Sequence, residues 1–316
     1  MSAITREDRL LGGLYGLLIG DALGVPYEFR DADDLPAEIT MVPPPEFARA
    51  HASVAPGTWS DEGAQALALL ASLLDHDGAL DEADFARRLV RWYDDGHYAV
   101  DGEVFDVGVQ TSIAIALLRA GAPPLEAGPS GERQNGNGSL MRVLPLALVF
   151  RGDDAALVDA AYRSSLPTHG HARARVCCAL YSLWARRLLE GVADAWPSAV
   201  AAMRANVMRD SPEDEALEYH IRPDEPLEGS GSGYVVDSLR SARMVFEAHA
   251  DYRAVVVAAV RLGDDTDTTA AIAGGIAGVR GGLASIPAEW RAALRGAGLV
   301  APLAERLAAF DRATPR

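Results

Sequence analysis

The stretch RARVCCALYSLWARR, residues 173–187, decides the fold class. Its apolar residues Val176, Ala179, Leu180 and Leu183 recur at i, i+3, i+4 and i+7, with Arg173, Arg175, Arg186 and Arg187 around them. That is the pattern of an amphipathic helix laid on a core. Outward from it the same period occupies residues 10–18, 64–74, 82–93, 111–119 and 154–163 on one side, and 197–207, 236–248, 254–262, 269–279 and 302–310 on the other. Few windows alternate in twos or carry the Val, Ile, Thr and Tyr enrichment of a half-buried strand. The sequence therefore predicts an all-α protein of ten or more helices. Residues 42–59, 121–138 and 211–233 break the pattern with Pro, Gly and Ser. The helices on either side of each break share one composition, which predicts a single domain over residues 1–316 with three long functional loops.

Composition narrows the chemistry. A chain of 316 residues, 49% hydrophobic and 23% charged, can bury roughly 75% of the surface its unfolded form exposes, which excludes wholesale disorder. Asp and Glu number 45 against 29 Lys and Arg, a net charge of −16. The generalised basic surface that holds nucleic acid or anionic lipid is missing, so cations or small molecules are the expected partners. All the basic residues are arginine, which excludes a Schiff-base or P-loop lysine. Cys177 and Cys178 are adjacent inside a helical stretch and build no disulfide framework, so a reducing cytoplasmic setting is expected. The charged residues Arg6, Glu7, Asp8 and Arg9 are unlike a signal peptide, and apolar runs such as 270–279 fall short of the ~20 residues of a membrane span.

Two acidic helix starts stand out. Residues 263–269, Gly-Asp-Asp-Thr-Asp-Thr-Thr, precede the small-residue run 270–279. One Asp would suffice to cap that helix. Three carboxylates and three hydroxyls within six positions repel one another, and a bound cation relieves that repulsion best. Gly274, Gly275 and Gly278 would let the helix lie close to its neighbours and bury this start. The second cluster, Trp59-Ser60-Asp61-Glu62-Gly63, opens another apolar helix and alone reads as an ordinary cap. Together, Asp61, Glu62, Asp265 and Asp267 carry the charge of two divalent cations, and Ser60 and Thr268 add neutral oxygens. An all-oxygen set selects Mg²⁺, Mn²⁺ or Ca²⁺ and disfavours zinc. Ala270 and Ile276 occupy the positions where an EF-hand counted from Asp265 needs Gly and Glu.

These residues resemble the ADP-ribosylglycohydrolases. The resemblance runs through residues 13–28 (GLYGLLIGDALGVPYE), 59–70 (WSDEGAQALALL), 105–111 (FDVGVQT), 135–146 (NGNGSLMRVLPL), Thr168-His169, 231–239 (GSGYVVDSL) and 263–278. It implies an all-α fold with a central two-metal cleft, usually magnesium, that removes ADP-ribose from a modified side chain. Carried over by position, it implies metal ligands at Ser60, Asp61, Glu62, Asp265, Asp267 and Thr268. It further places family carboxylates at Glu28 and Asp106, either of which is expected to be the catalytic group that manages the proton. The Glu28 loop is a candidate lid. Substrate contacts fall on His169 and on Asn135, Gly136, Asn137, Gly138 and Ser139, whose backbone N–H groups suit phosphate or ribose oxygens.

The chain departs from the family pattern at four positions. Glu62 stands where many members have Asp, Gly63 where they have Thr, Asp264 where they have Gly, and Val109 where they have Asn. The extra methylene of Glu62 can move a ligand by about an ångström. The expected activity is metal-dependent hydrolysis of the bond between ADP-ribose and its acceptor. An inactive ADP-ribose-binding member of the same fold is the alternative, and a two-metal phosphohydrolase built on His76-Asp77 a third. Gly78 follows that dipeptide and marks a helix end.

Overall fold

The computed structural model describes residues 4–313. Helices α1 (Arg6–Gly24), α2 (Asp61–Asp75), α3 (Glu82–Asp95), α4 (Val109–Arg119), α5 (Leu144–Val149), α6 (Asp154–Ser165) and α7 (Ala172–Leu189) make the first half. Then come α8 (Ala195–Asn206), α9 (Pro212–Glu215), α10 (Val235–Ala248), α11 (Tyr252–Val260), α12 (Thr266–Gly281), α13 (Ala288–Ala293) and α14 (Ala297–Arg312). Among the described residues, extended backbone pairs only at two isolated bridges, Asp31 with Gly263 and Gly136 with Tyr234. The all-α expectation holds. Three helices were not legible: α5, α9 and α13 span six, four and six residues, too short for a 3.6-residue period to show. The segment 211–233, expected as loop, holds α9 and a π-helical turn, Ala216–Ile221.

The spine of the molecule is the antiparallel pair α1 and α12. Gly12, Gly16, Gly20 and Gly24 recur every four residues, which sets them along one face of α1. A Cβ at any of them would strike the backbone of α12 at Gly278, Gly274, Ala270 and Asp267 respectively. Without those side chains the two backbones lie in direct contact. Gly274 and Gly278 answer from the other side, and a Cβ at Gly275 would lie 2.7 Å from Leu144. Tyr252 locks the seam by donating to the Gly16 carbonyl (2.7 Å), and Thr266 by donating to that of Gly24 (2.8 Å). The consequence is positional: the acidic start of α12 lies against the end of α1.

Residues Arg6–Tyr27, whose most apolar 18-residue window has a mean hydropathy of 1.3, are long and apolar enough to cross a membrane by length and composition, contrary to the shorter apolar run expected there. Buried glycines extend the apolar stretch, and 89% of its most apolar window is buried within the protein. One contiguous apolar cluster runs from Leu10 to Leu307 and includes Cys177 and Cys178, both free.

Candidate active site

The end of α1 and the starts of α2 and α12 converge on a cleft of about 310 Å³. Glu28, Asp61, Glu62, Asp106, Asp265 and Thr268 line it together with Gly136, Asn137, Gly138 and His169. Asp267 and Asp21 lie just behind these acids, both fully buried. Carboxylate oxygens of Asp21, Glu62 and Asp267 fall within 4.8 Å of one another, as do those of Glu28, Asp265 and Asp267, and those of Asp61, Glu62 and Asp106. Among the described residues none of Asp21, Asp61, Glu62, Asp265 and Asp267 has an arginine or histidine ion-pair partner.

Neither N-cap residue, Ser60 or Asp265, caps its own helix with its side chain, although Asp267 accepts from the Thr268 N–H at 2.9 Å within α12. Asp265, at the N-cap of α12, makes no side-chain cap bond and instead accepts from the Asn137 side-chain amide at 2.7 Å. At α2 the cap comes from another helix: Asp21 of α1 accepts from the backbone N–H of Ser60 (2.9 Å) and of Gly63 (2.8 Å). This frees Asp61 and Glu62 to face the cleft. The hydroxyls of Ser60 and Thr268 both hydrogen-bond Glu62. The longer side chain at position 62 thus spans from α2 to α12. Gly63 is required here, because a Cβ would lie 2.6 Å from the Trp59 ring.

Burial is the first cause that pushes the carboxyls of Asp21, Asp61, Glu62, Asp265 and Asp267 up from the usual carboxylate range, and repulsion from their acidic neighbours adds to it. Glu28 is pushed up to about 11 by the same two causes, with Asp106 its strongest repeller. Bound positive charge would reverse this, and the donors are all hard oxygens, so the residues present fit Mg²⁺, Mn²⁺ or Ca²⁺.

Glu28 is held rather than free. Its Oε2 lies 2.6 Å from Nε2 of His51, which is itself 3.9 Å from Asp106. His51 comes from the 42–59 loop and sits between the rings of Phe29 and Phe105. The backbone beside Glu28 is strapped to the start of α12: Phe29 N–H donates to the Asp264 carbonyl, and Asp264 N–H to that of Arg30, both at 2.8 Å. A lid motion of this segment would have to break this pair. Phe29, His51, Asp106 and Asp264 all adopt left-handed backbone, with φ of 59°, 46°, 57° and 57°. Such strain costs about 1–3 kcal/mol per residue, and here it gathers around one site. At Asp264 it also explains why glycine is frequent at that position in the family the sequence resembles.

The loop 135–139 differs in part from its expected role. The Gly136 N–H donates to Gln110 Oε1 at 2.8 Å and is taken. Asn137 spends its amide on Asp265 and Ser238, and Ser139 is buried against Ser165 and Cys178. Asn135 donates to the Glu132 carbonyl. Asn135 and Ser139 therefore stand behind the cleft wall, whereas Gly136, Asn137, Gly138 and His169 form it. Val109 is exposed at the mouth, and both ends of the neighbouring Gln110 amide bond the backbone of the 134–136 loop. His76 is the C-cap of α2, fifteen residues and roughly 20 Å from Asp61, so the phosphohydrolase arrangement is not assembled.

Sequence reasoning missed Asp21, His51, Gln65 and Arg142. For Asp21 and Arg142 a signal existed: each is a lone charge inside an apolar run.

With this geometry in place, comparison with known proteins is decisive. The ADP-ribosylglycohydrolase family model matches residues 2–315. The chain belongs to that family. Among ADP-ribosylglycohydrolase relatives, it is 33% identical over 308 residues to the ADP-ribosylarginine hydrolase Tri1 of Pseudomonas putida, covering 97% of this chain and 79% of the relative. It is 27% identical to the ADP-ribosyl-[dinitrogen reductase] glycohydrolase of Rhodospirillum rubrum, over 92% of this chain and 91% of that one. A solved structure described as an ADP-ribosylglycohydrolase-related protein complex superposes with a TM-score of 0.77 at 30% identity, covering 97% and 98% of the two chains.

Proposed function

We propose that this chain hydrolyses the glycosidic bond between ADP-ribose and a modified acceptor, so reversing ADP-ribosylation, and that it works with two divalent cations, magnesium first. One observation carries the proposal: two acidic helix starts, whose N-cap side chains make no cap bond, meet in a cleft also lined by Gly136, Gly138 and His169. Ser60, Asp61, Glu62, Asp265, Asp267 and Thr268 would hold the cations. When bound there, these supply Lewis acidity toward sugar and water oxygens.

The protein's own groups do the rest. Cleavage at a ribose anomeric carbon passes through an oxocarbenium-like transition state and needs proton transfer. We place that transfer at Glu28, whose Oε2 is oriented by His51, with Asp106 as the second carboxylate of the pair. Asn137 fixes Asp265, and the bare backbone of Gly136 and Gly138 leaves room for a ligand against His169. Arginine is the acceptor to test first, because two relatives, 33% and 30% identical, are ADP-ribosylarginine hydrolases.

Release of ADP-ribose from ADP-ribosylarginine in the presence of Mg²⁺ tests the proposal. Glu28→Gln should lower kcat by about 10²- to 10⁴-fold while ADP-ribose binding persists. Asp106→Asn separates the roles, because the true general base loses the alkaline-rising limb of its pH–rate profile. Binding of ADP-ribose by the unaltered protein, with no turnover of any ADP-ribosylated acceptor, would favour the inactive-member reading.

A further inference from the structure

We infer that Arg142 is a positioning residue that sets the direction of two hydrogen-bond chains, and that through Thr168 it holds His169 with its proton on Nε2, aimed into the cleft as a donor to an oxygen of the ADP-ribosyl substrate. What Nε2 binds rests on the hydrolase reading above; the direction of the chains does not.

Arg142 lies in the turn before α5 and is 1% exposed. Among the described residues no carboxylate bonds it. Its partners are neutral: Gln65 Oε1 at 2.6 Å, Thr168 Oγ1 at 2.7 Å and the Ser164 carbonyl at 3.4 Å, with the Phe85 ring beneath it. A guanidinium has donors and no acceptor, so polarity is forced at both side-chain contacts.

Along the first chain, Thr168 Oγ1 must accept from Arg142. Thr168 is fully buried, and the other polar side-chain atom in contact with its hydroxyl is His169 Nδ1 at 2.8 Å. The hydroxyl hydrogen therefore goes to Nδ1, which must be bare. Were Nδ1 protonated, that hydroxyl hydrogen would be buried without an acceptor, a penalty that biases the tautomers by roughly 5- to 150-fold. Burial and the nearby Arg142 charge also push the imidazole down to about 3, so the ring is neutral and carries its single proton on Nε2. That nitrogen faces the glycine loop: a Cβ at Gly138 would lie 3.2 Å from it, and one at Gly136 3.5 Å. Two glycines leave the space over Nε2 open to a ligand.

Along the second chain, Gln65 accepts from Arg142 with its carbonyl oxygen, so its amide nitrogen points the other way and donates to Asp61 Oδ2 at 2.9 Å. One buried cation thus directs an amide donor to Asp61 along one chain and, through Thr168, the Nε2 donor of His169 along the other.

Nitrogen-15 NMR of the histidine-labelled full-length protein reads the tautomer directly. His169 should show a protonated Nε2 and a bare Nδ1. Thr168→Val should abolish this preference and weaken ADP-ribose binding, measured by calorimetry, by about 10-fold, and Thr168→Ser should restore both. Arg142→Gln, which can accept as well as donate, should mix the tautomers in the same way. If that variant fails to fold, the two Thr168 variants decide the question. A protonated Nδ1 in the unaltered protein, or an unchanged tautomer in Thr168→Val, overturns the inference. A shifted tautomer with unchanged ADP-ribose affinity overturns its binding half. Absence of turnover on ADP-ribosylated substrates, with the NMR signature as expected, defeats the hydrolase proposal and leaves the positioning role standing.

Discussion

Helix α6 and helix α12 begin alike in sequence and differ in what their first acids do. Asp153 precedes α6 and accepts from the Ala156 N–H at 2.8 Å, satisfying one of the donors a helix start leaves open. Asp265 occupies the same position before α12, yet its carboxylate turns away from its own helix to Asn137 and the cleft. Asp81 and Asp251 behave as Asp153 does, at α3 and α11. An acid that caps is satisfied by its own backbone. Asp21, Asp61, Glu62, Asp265 and Asp267 are gathered from three helices with no ion-pair partner among the described residues; backbone donors reach only Asp21 and Asp267, and the remaining charge is relieved by protonation or by a cation.

The largest effect should come from removing the cation. Chelation is expected to abolish turnover, with Mg²⁺ or Mn²⁺ restoring it, and Asp265→Asn or Asp267→Asn should each cost at least ~10²-fold while circular dichroism shows helix content retained. Full turnover in metal-free protein would erase the distinction between α12 and α6. The second effect is on stability. The carboxyls of Asp106 and Asp265 are raised to about 6 in the folded protein, above the unfolded value of about 4. The folded state then holds more protons across that interval, so the metal-free protein should lose stability as pH rises from 4 through 6, on the order of 2 kcal/mol for each of the two carboxyls. Saturating Mg²⁺ should flatten this slope in thermal melts, and a slope of opposite sign would refute the account of the site. The smallest effect falls on the capping helix. Asp153→Ala should cost about 0.5–2 kcal/mol of unfolding free energy and leave kcat and KM unchanged.

Much of the site was legible because charge density is a local property of a chain. Residues 263–269 crowd three carboxylates into one turn, and no packing is needed to see that they repel. The expected burial of this start by glycine also held, since Gly274 and Gly278 meet Gly16 and Gly12 across the seam. His51 escaped notice because nothing in a proline-rich loop says which residue will reach Glu28, 23 positions away. Asn135 and Ser139 shared a loop with true lining residues, and only the path of the backbone turned them inward.

The amino-acid sequence by itself determined the all-α class, the long helices and the presence of two acidic helix starts, because hydrophobic period and charge crowding are set by neighbours within about two turns. The tertiary structure alone decided which acids cap and which face the cleft. Asp21 takes over the cap of α2 from a distance of 39 residues, which the packing of α1 beside the start of α2 decides. It alone decided, too, that Arg142 would reach both Gln65 and Thr168, where a side chain that can only donate dictates which way every hydrogen beyond it must point.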